Sequence, residues 1–311
     1  MIRKVAVVGA GVMGHGIAQL YALAGFPVSL YDIREEYLDG ALRAMEDSLS
    51  LLVKEEFVTG AQKKEALRRV SRTTDLAEAV KDADFITDAI PEVLELKWEL
   101  FGTLERLAKP DAIIASNTST LPISRMAKHS ATPHRMIITH FFNPAQLVPL
   151  VEIVKHEKTT GPVVETTTGL MRTIGKHPVL LKKEVPGFIA NRLQVAIVRE
   201  AFHLLNEGVA DARDIDAAIT AGPGFRWAFI GPIETADFGG LDTWKRVIDN
   251  LAPELDKRES APERIVESVR EGNLGTKSGK GIYSYTDVSV PEKIRERDTN
   301  FIRLLKVKRD G

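Results

Sequence analysis

Val5-Ala6-Val7-Val8-Gly9-Ala10-Gly11-Val12-Met13-Gly14, followed by Ile17-Ala18-Gln19-Leu20-Tyr21-Ala22, is the stretch that decides the fold. Four apolar residues in a row, without polar alternation, suit a strand buried on both faces, as in a parallel sheet covered by helices. The glycines follow at once, and a helical pattern follows them. Gly9 permits the tight turn, Gly11 lets the backbone approach a pyrophosphate, and Gly14 lets helix and strand pack closely. Val12 and Met13 complete that cradle, where free N–H groups and the positive end of the helix dipole favour an anion. Asp32 lies eighteen residues beyond Gly14, at the end of the next apolar run. Its carboxylate can accept hydrogen bonds from an adenosine ribose and would repel a 2′-phosphate, so NAD is expected over NADP. Arg34, just past the acid, is the residue that could tolerate that phosphate.

Working outward, apolar runs at residues 28–31, 85–88, 113–116, 136–140, 150–154 and 179–182 alternate with helical patterns. This predicts an α/β fold: a Rossmann-like, mostly parallel sheet. Residues 35–69 contain no proline and are rich in Leu, Glu, Lys and Arg. They predict a helical hairpin inserted between the second and third strands, broken near Thr59-Gly60 and projecting from the sheet. After about residue 184 the pattern turns helical. Ile189, Leu193, Ala196, Ile197, Ala201 and Leu204 keep an apolar stripe through residues 188–207, and helices follow at 211–221, 242–251 and 261–270. The expected organisation is an NAD-binding domain over residues 1–184 and an all-α domain for substrate and dimerisation over 185–311. Residues 292–306 are highly charged, with Ile294, Phe301, Ile302 and Leu305 among them. They read either as a solvated tail helix or as a helix docking on a partner subunit.

Composition excludes several classes. The 311 residues carry 42 Lys and Arg against 43 Asp and Glu, a formal charge of −1, which leaves no electrostatic footprint for nucleic acid. With no cysteine, disulfides and thiolate chemistry are absent, in keeping with a reducing compartment. No metal-ligand set is expected. No run approaches the ~20 apolar residues of a membrane helix. The first strand begins so early that no targeting peptide is expected, and the reading is of a soluble, cytoplasmic protein.

His140 ends a strand in a sheet whose ligand crevice lies outside the carboxyl ends of its strands. An imidazole titrates near neutrality and can take up and return a proton. Glu152, twelve residues on, stands inside the apolar run Pro149-Leu150-Val151-Glu152-Ile153-Val154. A carboxylate there needs a partner if buried, and on one imidazole nitrogen it would fix the tautomer and stabilise the imidazolium. Ser119 could hydrogen-bond a substrate oxygen or cap a helix ahead of Leu121-Pro122-Ile123. Asn191 could hold a substrate carbonyl or merely cap and pack. Together these residues suit hydride transfer between a secondary alcohol and a nicotinamide.

Ser116-Asn117-Thr118-Ser119, His140-Phe141-Phe142-Asn143-Pro144, Glu152 and Gly187-Phe188-Ile189-Ala190-Asn191-Arg192 form an ordered set. In it the chain resembles the L-3-hydroxyacyl-CoA dehydrogenases, from the first strand to about Tyr285. The resemblance implies His140 as general base, Glu152 as its orienting partner, and Ser119 and Asn191 on the substrate. It implies NAD near Asp32, Glu92, Lys97, Asn117, Asn143 and Lys277, and a homodimer. CoA-using members place basic residues in the inserted hairpin, where this chain has Ser48 and Lys54 followed by Glu55 and Glu56. The segment from Phe225 to Thr235, with Val148-Pro149-Leu150, resembles instead the L-gulonate 3-dehydrogenase (lambda-crystallin) and carnitine dehydrogenase branch, whose members oxidise free 3-hydroxy acids. There Arg226 would bind a free carboxylate, or form a salt bridge within the helical domain. The resemblance thus implies oxidation of an L-3-hydroxyacyl-CoA. The alternatives are a free 3-hydroxy acid, or a catalytically silent, crystallin-like NAD-binding protein.

Overall fold

The computed structural model describes residues 1–286 and 289–310. Among them, eight strands form one sheet: β1 (Val5–Val8), β2 (Val28–Tyr31), β3 (Val70–Thr73), β4 (Phe85–Asp88), β5 (Ile113–Ser116), β6 (Met136–Phe141), β7 (Leu150–Lys155) and β8 (His177–Leu180). Their order is β3-β2-β1-β4-β5-β6-β7-β8, and every neighbouring pair is parallel except β6 with β7. The helices of the first half are α1 (Val12–Leu23), α2 (Glu35–Lys54), α3 (Gly60–Arg68), α4 (Leu76–Val80), α5 (Leu94–Leu107), α6 (Ile123–Met126) and α7 (Gly161–Thr173). Those of the second half are α8 (Ala190–Asn206), α9 (Ala212–Ala221), α10 (Pro223–Trp227), α11 (Pro232–Gly239), α12 (Leu241–Leu251), α13 (Glu263–Arg270) and α14 (Val290–Asp310). The chain divides into two compact units: Met1–Ile189 joined by the segment from Arg295 onward, and Ala190–Ile294.

The first unit is a sheet covered on both faces. Along β1, Val5 and Val7 enter one apolar cluster while Ala6 and Val8 enter the other, so successive side chains serve opposite cores. The expected strands recur with small shifts: β6 runs on to Phe141, β7 to Lys155, and β8 begins at His177. The strand missing from the sequence reading is β3, Val-Ser-Arg-Thr, whose Ser71 and Arg72 are exposed. An edge strand need not be apolar, because its place comes from backbone pairing with β2.

The hairpin folds as two helices, and the break is stabilised by a reciprocal cap: Gln62 N–H donates to Thr59 Oγ1, and Thr59 N–H donates to Gln62 Oε1. It does not stand clear of the sheet unit. Leu38, Ala41, Met45, Leu49 and Leu52 of α2 are buried in the cluster that also holds Ile17, Ala18 and Tyr21 of α1. The long helix starts at Ala190 and not at Phe188, because Gly187 and Phe188 both take positive φ, 74° and 52°. Among the described residues, no helix is long and apolar enough to cross a membrane.

The charged tail differs from both expected arrangements. Ile302 of α14 is 1% exposed and belongs to the same core cluster as Leu49 and Leu52, with Leu305 packed against it. Arg303 Nε lies 3.9 Å from Glu55 Oε2. The tail therefore docks on the sheet unit of its own chain. Ile302→Ala removes a buried side chain and should lower unfolding free energy by about 2–5 kcal/mol. Urea unfolding of the full chain measures this; an unchanged midpoint would mean that α14 adds nothing to the core.

Candidate active site

The glycine turn has the shape its sequence demands. Gly9 has φ of 106°, and a Cβ on Gly14 would fall 1.7 Å from the Gly9 carbonyl oxygen, so strand and helix meet at a distance only glycine allows. A Cβ on Gly11 would meet nothing within 4 Å. The N-terminus of α1 carries no side-chain cap and no acidic residue in its first turn, leaving its amides for an anion. Asp32 accepts from Ala10 N–H at 2.7 Å and from Ile33 N–H at 2.7 Å, so it holds the turn as well as ending β2. Arg34 pairs with Glu36 at 3.1 Å and lies over the Tyr37 ring. These features fit a dinucleotide: a bare helix end, an open floor at Gly11, and a carboxylate at the end of β2.

A second group is organised by buried charge. Lys97 is 1% exposed, and its ammonium donates to Asp88 Oδ2 at 2.7 Å, where Ser116 Oγ also donates at 2.7 Å. Glu92 lies 3.8 Å from the same ammonium through Oε2. Its Oε1 accepts from Thr118 Oγ1, Ser119 N–H, Thr120 N–H and Thr120 Oγ1 at 2.5–3.0 Å. Burial opposes ionisation of Glu92, but the donors of Thr118 and Thr120 together with Lys97 outweigh it and hold its carboxyl below the usual range. Lys97 and Glu92 thus fix the backbone that carries Ser119. The cap of α6 is Pro122, and the Ser119 hydroxyl is not hydrogen-bonded to any described residue. Asn117 takes its amide from the turn after β5 to β6, accepting from Phe141 N–H at 2.9 Å. Asp88 escaped the sequence reading, and Thr118 and Phe188 stand in its motifs without a role of their own. An acid closing a strand, as Asp32 does, was the available signal for Asp88.

His140 and Glu152 face each other across the antiparallel β6–β7 pair, in direct register. Nδ1 of His140 lies 2.9 Å from Glu152 Oε2, and Oε1 accepts from Ile189 N–H at 2.8 Å. An ionised carboxylate can only accept, so the Nδ1 proton points to Glu152 and Nε2 keeps its lone pair. His140 is 4% exposed, with the Phe142 and Phe188 rings centred 4.5 and 5.4 Å from its own. The left-handed Gly187-Phe188 pair brings both the Phe188 ring to His140 and the Ile189 amide to Glu152. Strain at a buried phenylalanine is of the kind found where a site over-determines its backbone. Such a pair can accept a proton from a hydroxyl and shelter the charge that results.

The remaining residues are placed as follows. Asn143 is exposed between β6 and β7. Ser48 Oγ accepts from buried Gln19 Nε2 at 3.1 Å, and Lys54 is exposed at the end of α2. Asn191, Arg226 and Lys277 belong to the second unit. Asn191 lies in the first turn of α8, Arg226 is exposed on α10, and Lys277 is exposed on the turn bridged by Gly275 and Lys280. Among the described residues, no group of His, Cys, Asp and Glu could hold a metal.

Comparison with known proteins agrees with this geometry. Residues 4–185 match the NAD-binding domain of 3-hydroxyacyl-CoA dehydrogenase, and residues 187–285 match its C-terminal domain. The chain is 34% identical over 311 residues to 5-formyl-3-hydroxy-2-methylpyridine 4-carboxylate 5-dehydrogenase of Mesorhizobium japonicum, covering 99% of this chain and 98% of the relative. It is 37% identical to mitochondrial hydroxyacyl-coenzyme A dehydrogenase of Sus scrofa, over 92% of each chain. The crystal structure of a 5-formyl-3-hydroxy-2-methylpyridine 4-carboxylic acid 5-dehydrogenase, an NAD+ dependent dismutase, superposes with a TM-score of 0.92 at 32% identity, over 99% of this chain and 98% of that one. With a dinucleotide cradle at one end of β1 and a histidine paired to a carboxylate across β6 and β7, the chain belongs to the 3-hydroxyacyl-CoA dehydrogenase family, NAD-dependent oxidoreductases acting on CH–OH groups.

Proposed function

We propose that the chain oxidises the hydroxyl of a small hydroxy acid bearing a free carboxylate. Bound NAD would accept the hydride at its nicotinamide. His140 takes the hydroxyl proton on Nε2 as the carbinol C–H electron pair departs, and the C–O bond becomes a carbonyl. Glu152, fixed on Nδ1, stabilises the imidazolium that forms. Ser119 holds the substrate oxygen; in the second unit, Asn191 and Arg226 are the residues whose chemistry suits a carbonyl and a carboxylate. Glu92 and Lys97 act by holding the turn beneath Ser119.

The observation that carries the substrate assignment is Arg226. It is exposed and forms no ion pair among the described residues, which supports a guanidinium available to a carboxylate. Two features of the hairpin favour a free acid over a CoA ester. The Ser48 hydroxyl is engaged with Gln19, and beyond Lys54 the charge is that of Glu55 and Glu56, with Arg303 beside Glu55. A relative that matches 99% of the chain is named for a pyridine carboxylate, whereas a hydroxyacyl-CoA relative matches 92%. Oxidation of a 3-hydroxyacyl-CoA is the second reading, favoured by the family itself and by the Ser116-Asn117-Thr118-Ser119 motif.

A homodimer is part of the proposal. Helices α8, α9, α12 and α13 bury no residue, while Phe225, Phe229, Ile233, Phe238 and Leu241 are exposed. Apolar surface on this scale calls for a partner. Light scattering should give about twice the 34.3 kDa chain mass; a monomer at micromolar concentration removes this part.

Three activity measurements test this reading. His140→Asn should lose about 10²- to 10⁴-fold in turnover while still binding NADH; near wild-type turnover would refute its role as base. NADH formation should be faster with free acids such as L-gulonate, carnitine or 3-hydroxybutyrate than with 3-hydroxybutyryl-CoA. Arg226→Gln should raise KM for the best free acid by about 10- to 100-fold, the worth of charge-assisted hydrogen bonds. Rapid turnover of the CoA ester with the acids inert would select the second reading, and no turnover with any of them would favour a silent binding protein.

A further inference from the structure

Lys176 lies between α7 and β8, has no role assigned above, and only 7% of its surface is exposed. Its ammonium donates to the carbonyls of Ala145 at 2.6 Å and Val148 at 2.7 Å. Both belong to residues 142–149, the connection that leads from β6, which carries His140, to β7, which carries Glu152, and that includes Asn143. The connection is a tight turn in which Leu147 N–H and Val148 N–H each donate to the Pro144 carbonyl at 3.0 Å. Its other side presses on α1: a Cβ on Gly16 would meet Gln146 Oε1 at 2.6 Å and Ala145 Cβ at 3.2 Å. The segment is thus held between the pyrophosphate helix and a buried ammonium.

A buried cation without a carboxylate is a costly way to fill space, and an apolar side chain would avoid that cost. It would also leave two inward-facing carbonyls without a donor. Residues 143–149 contain no ionisable side chain. Arg172 of α7 and His177 of β8 are exposed, and Glu152 is engaged with His140. Burial alone therefore acts on Lys176, pushing its ammonium down to about 7.

We propose that Lys176 is a positioning residue of the cofactor pocket: by tying the Ala145 and Val148 carbonyls together, it holds Asn143 and the Gln146–Gly16 contact in the arrangement that binds NAD. This rests on the reading of Asn143 and the α1 N-terminus as cofactor contacts. The protonated side chain makes the stronger, charge-assisted bonds, so NADH affinity should fall as pH rises through about 7. The corresponding linkage in stability has the opposite sense. The folded chain releases this proton more readily than the unfolded chain, whose lysine titrates near 10.4, so the term favours folding progressively from about pH 7 upward.

The test is NADH titration by fluorescence between pH 6 and 9, using full-length wild type, Lys176→Met, Lys176→Gln and Gly14→Ala. Lys176→Met should weaken NADH about tenfold or more and raise KM for NAD, with kcat at saturation changed less than about threefold. Lys176→Gln, which keeps neutral donors, should bind with intermediate affinity and lose the wild-type pH slope. Wild-type affinity in both lysine variants, or the same pH slope in Lys176→Gln, would overturn the proposal. If Lys176→Met does not fold, the slope in Lys176→Gln decides alone. Gly14→Ala separates the two layers. NADH binding that survives it refutes the cofactor reading and this proposal together; binding lost there but unaffected at Lys176 refutes only this proposal.

Discussion

A carboxylate buried inside a strand must be paired, and the pairing of Glu152 governs the arrangement of this molecule's chemistry. Because β6 and β7 are antiparallel, the register sets Glu152 directly opposite His140. Had β7 continued the parallel run of β1, β2, β4, β5 and β6, it would have entered from the other end of the sheet. A single reversal of direction therefore converts a strand residue into a partner for the imidazole. The second oxygen of Glu152 takes the Ile189 amide, so the same side chain also anchors the point at which the chain leaves the sheet.

Glu92 does comparable work on the neighbouring connection. It gathers four donors from residues 118–120 and stays ionised because those bonds and Lys97 outweigh burial. Beneath it, Asp88 and Lys97 form a nearly solvent-free ion pair. Removing either partner of such a pair typically costs about 3–5 kcal/mol, since the other charge is left buried alone. Three connections are thus each held by a charged side chain: the turn after β5 by the partly exposed Glu92, the 143–149 turn by the buried Lys176, and the segment between β8 and α8 by the buried Glu152. Loops held in this way can present Ser119, Asn143 and His140 without relying on a bound ligand to shape them.

Much of this was legible in the sequence. Gly9 and Gly14 declared a turn that only glycines can make there, Gly11 declared an open floor, and Asp32 declared the end of β2. His140 and Glu152 were recognisable as partners because an acid within Leu150-Val151-Glu152-Ile153-Val154 has no other reason to be there. What escaped was set by tertiary pairing and not by local pattern. β3 is polar because it lies at an edge. Ile302 sits in a charged helix, and its burial depends on a surface supplied by α2, far away in the chain. The roles of Asp88, Thr118 and Lys176 depend on which backbone groups come within reach, and no spacing rule encodes that. Arg226 could be read two ways in the sequence; it is exposed on α10, with no ion pair among the described residues.

The central claim is that Glu152 and His140 act as one unit in proton transfer. Glu152→Gln tests it most directly, because the amide can still accept from Ile189 and fill the same space but cannot balance an imidazolium. Steady-state oxidation should fall by about 10²-fold or more, with NADH affinity and urea stability close to wild type. Retention of wild-type kcat/KM in a folded, NADH-binding Glu152→Gln chain would contradict the account.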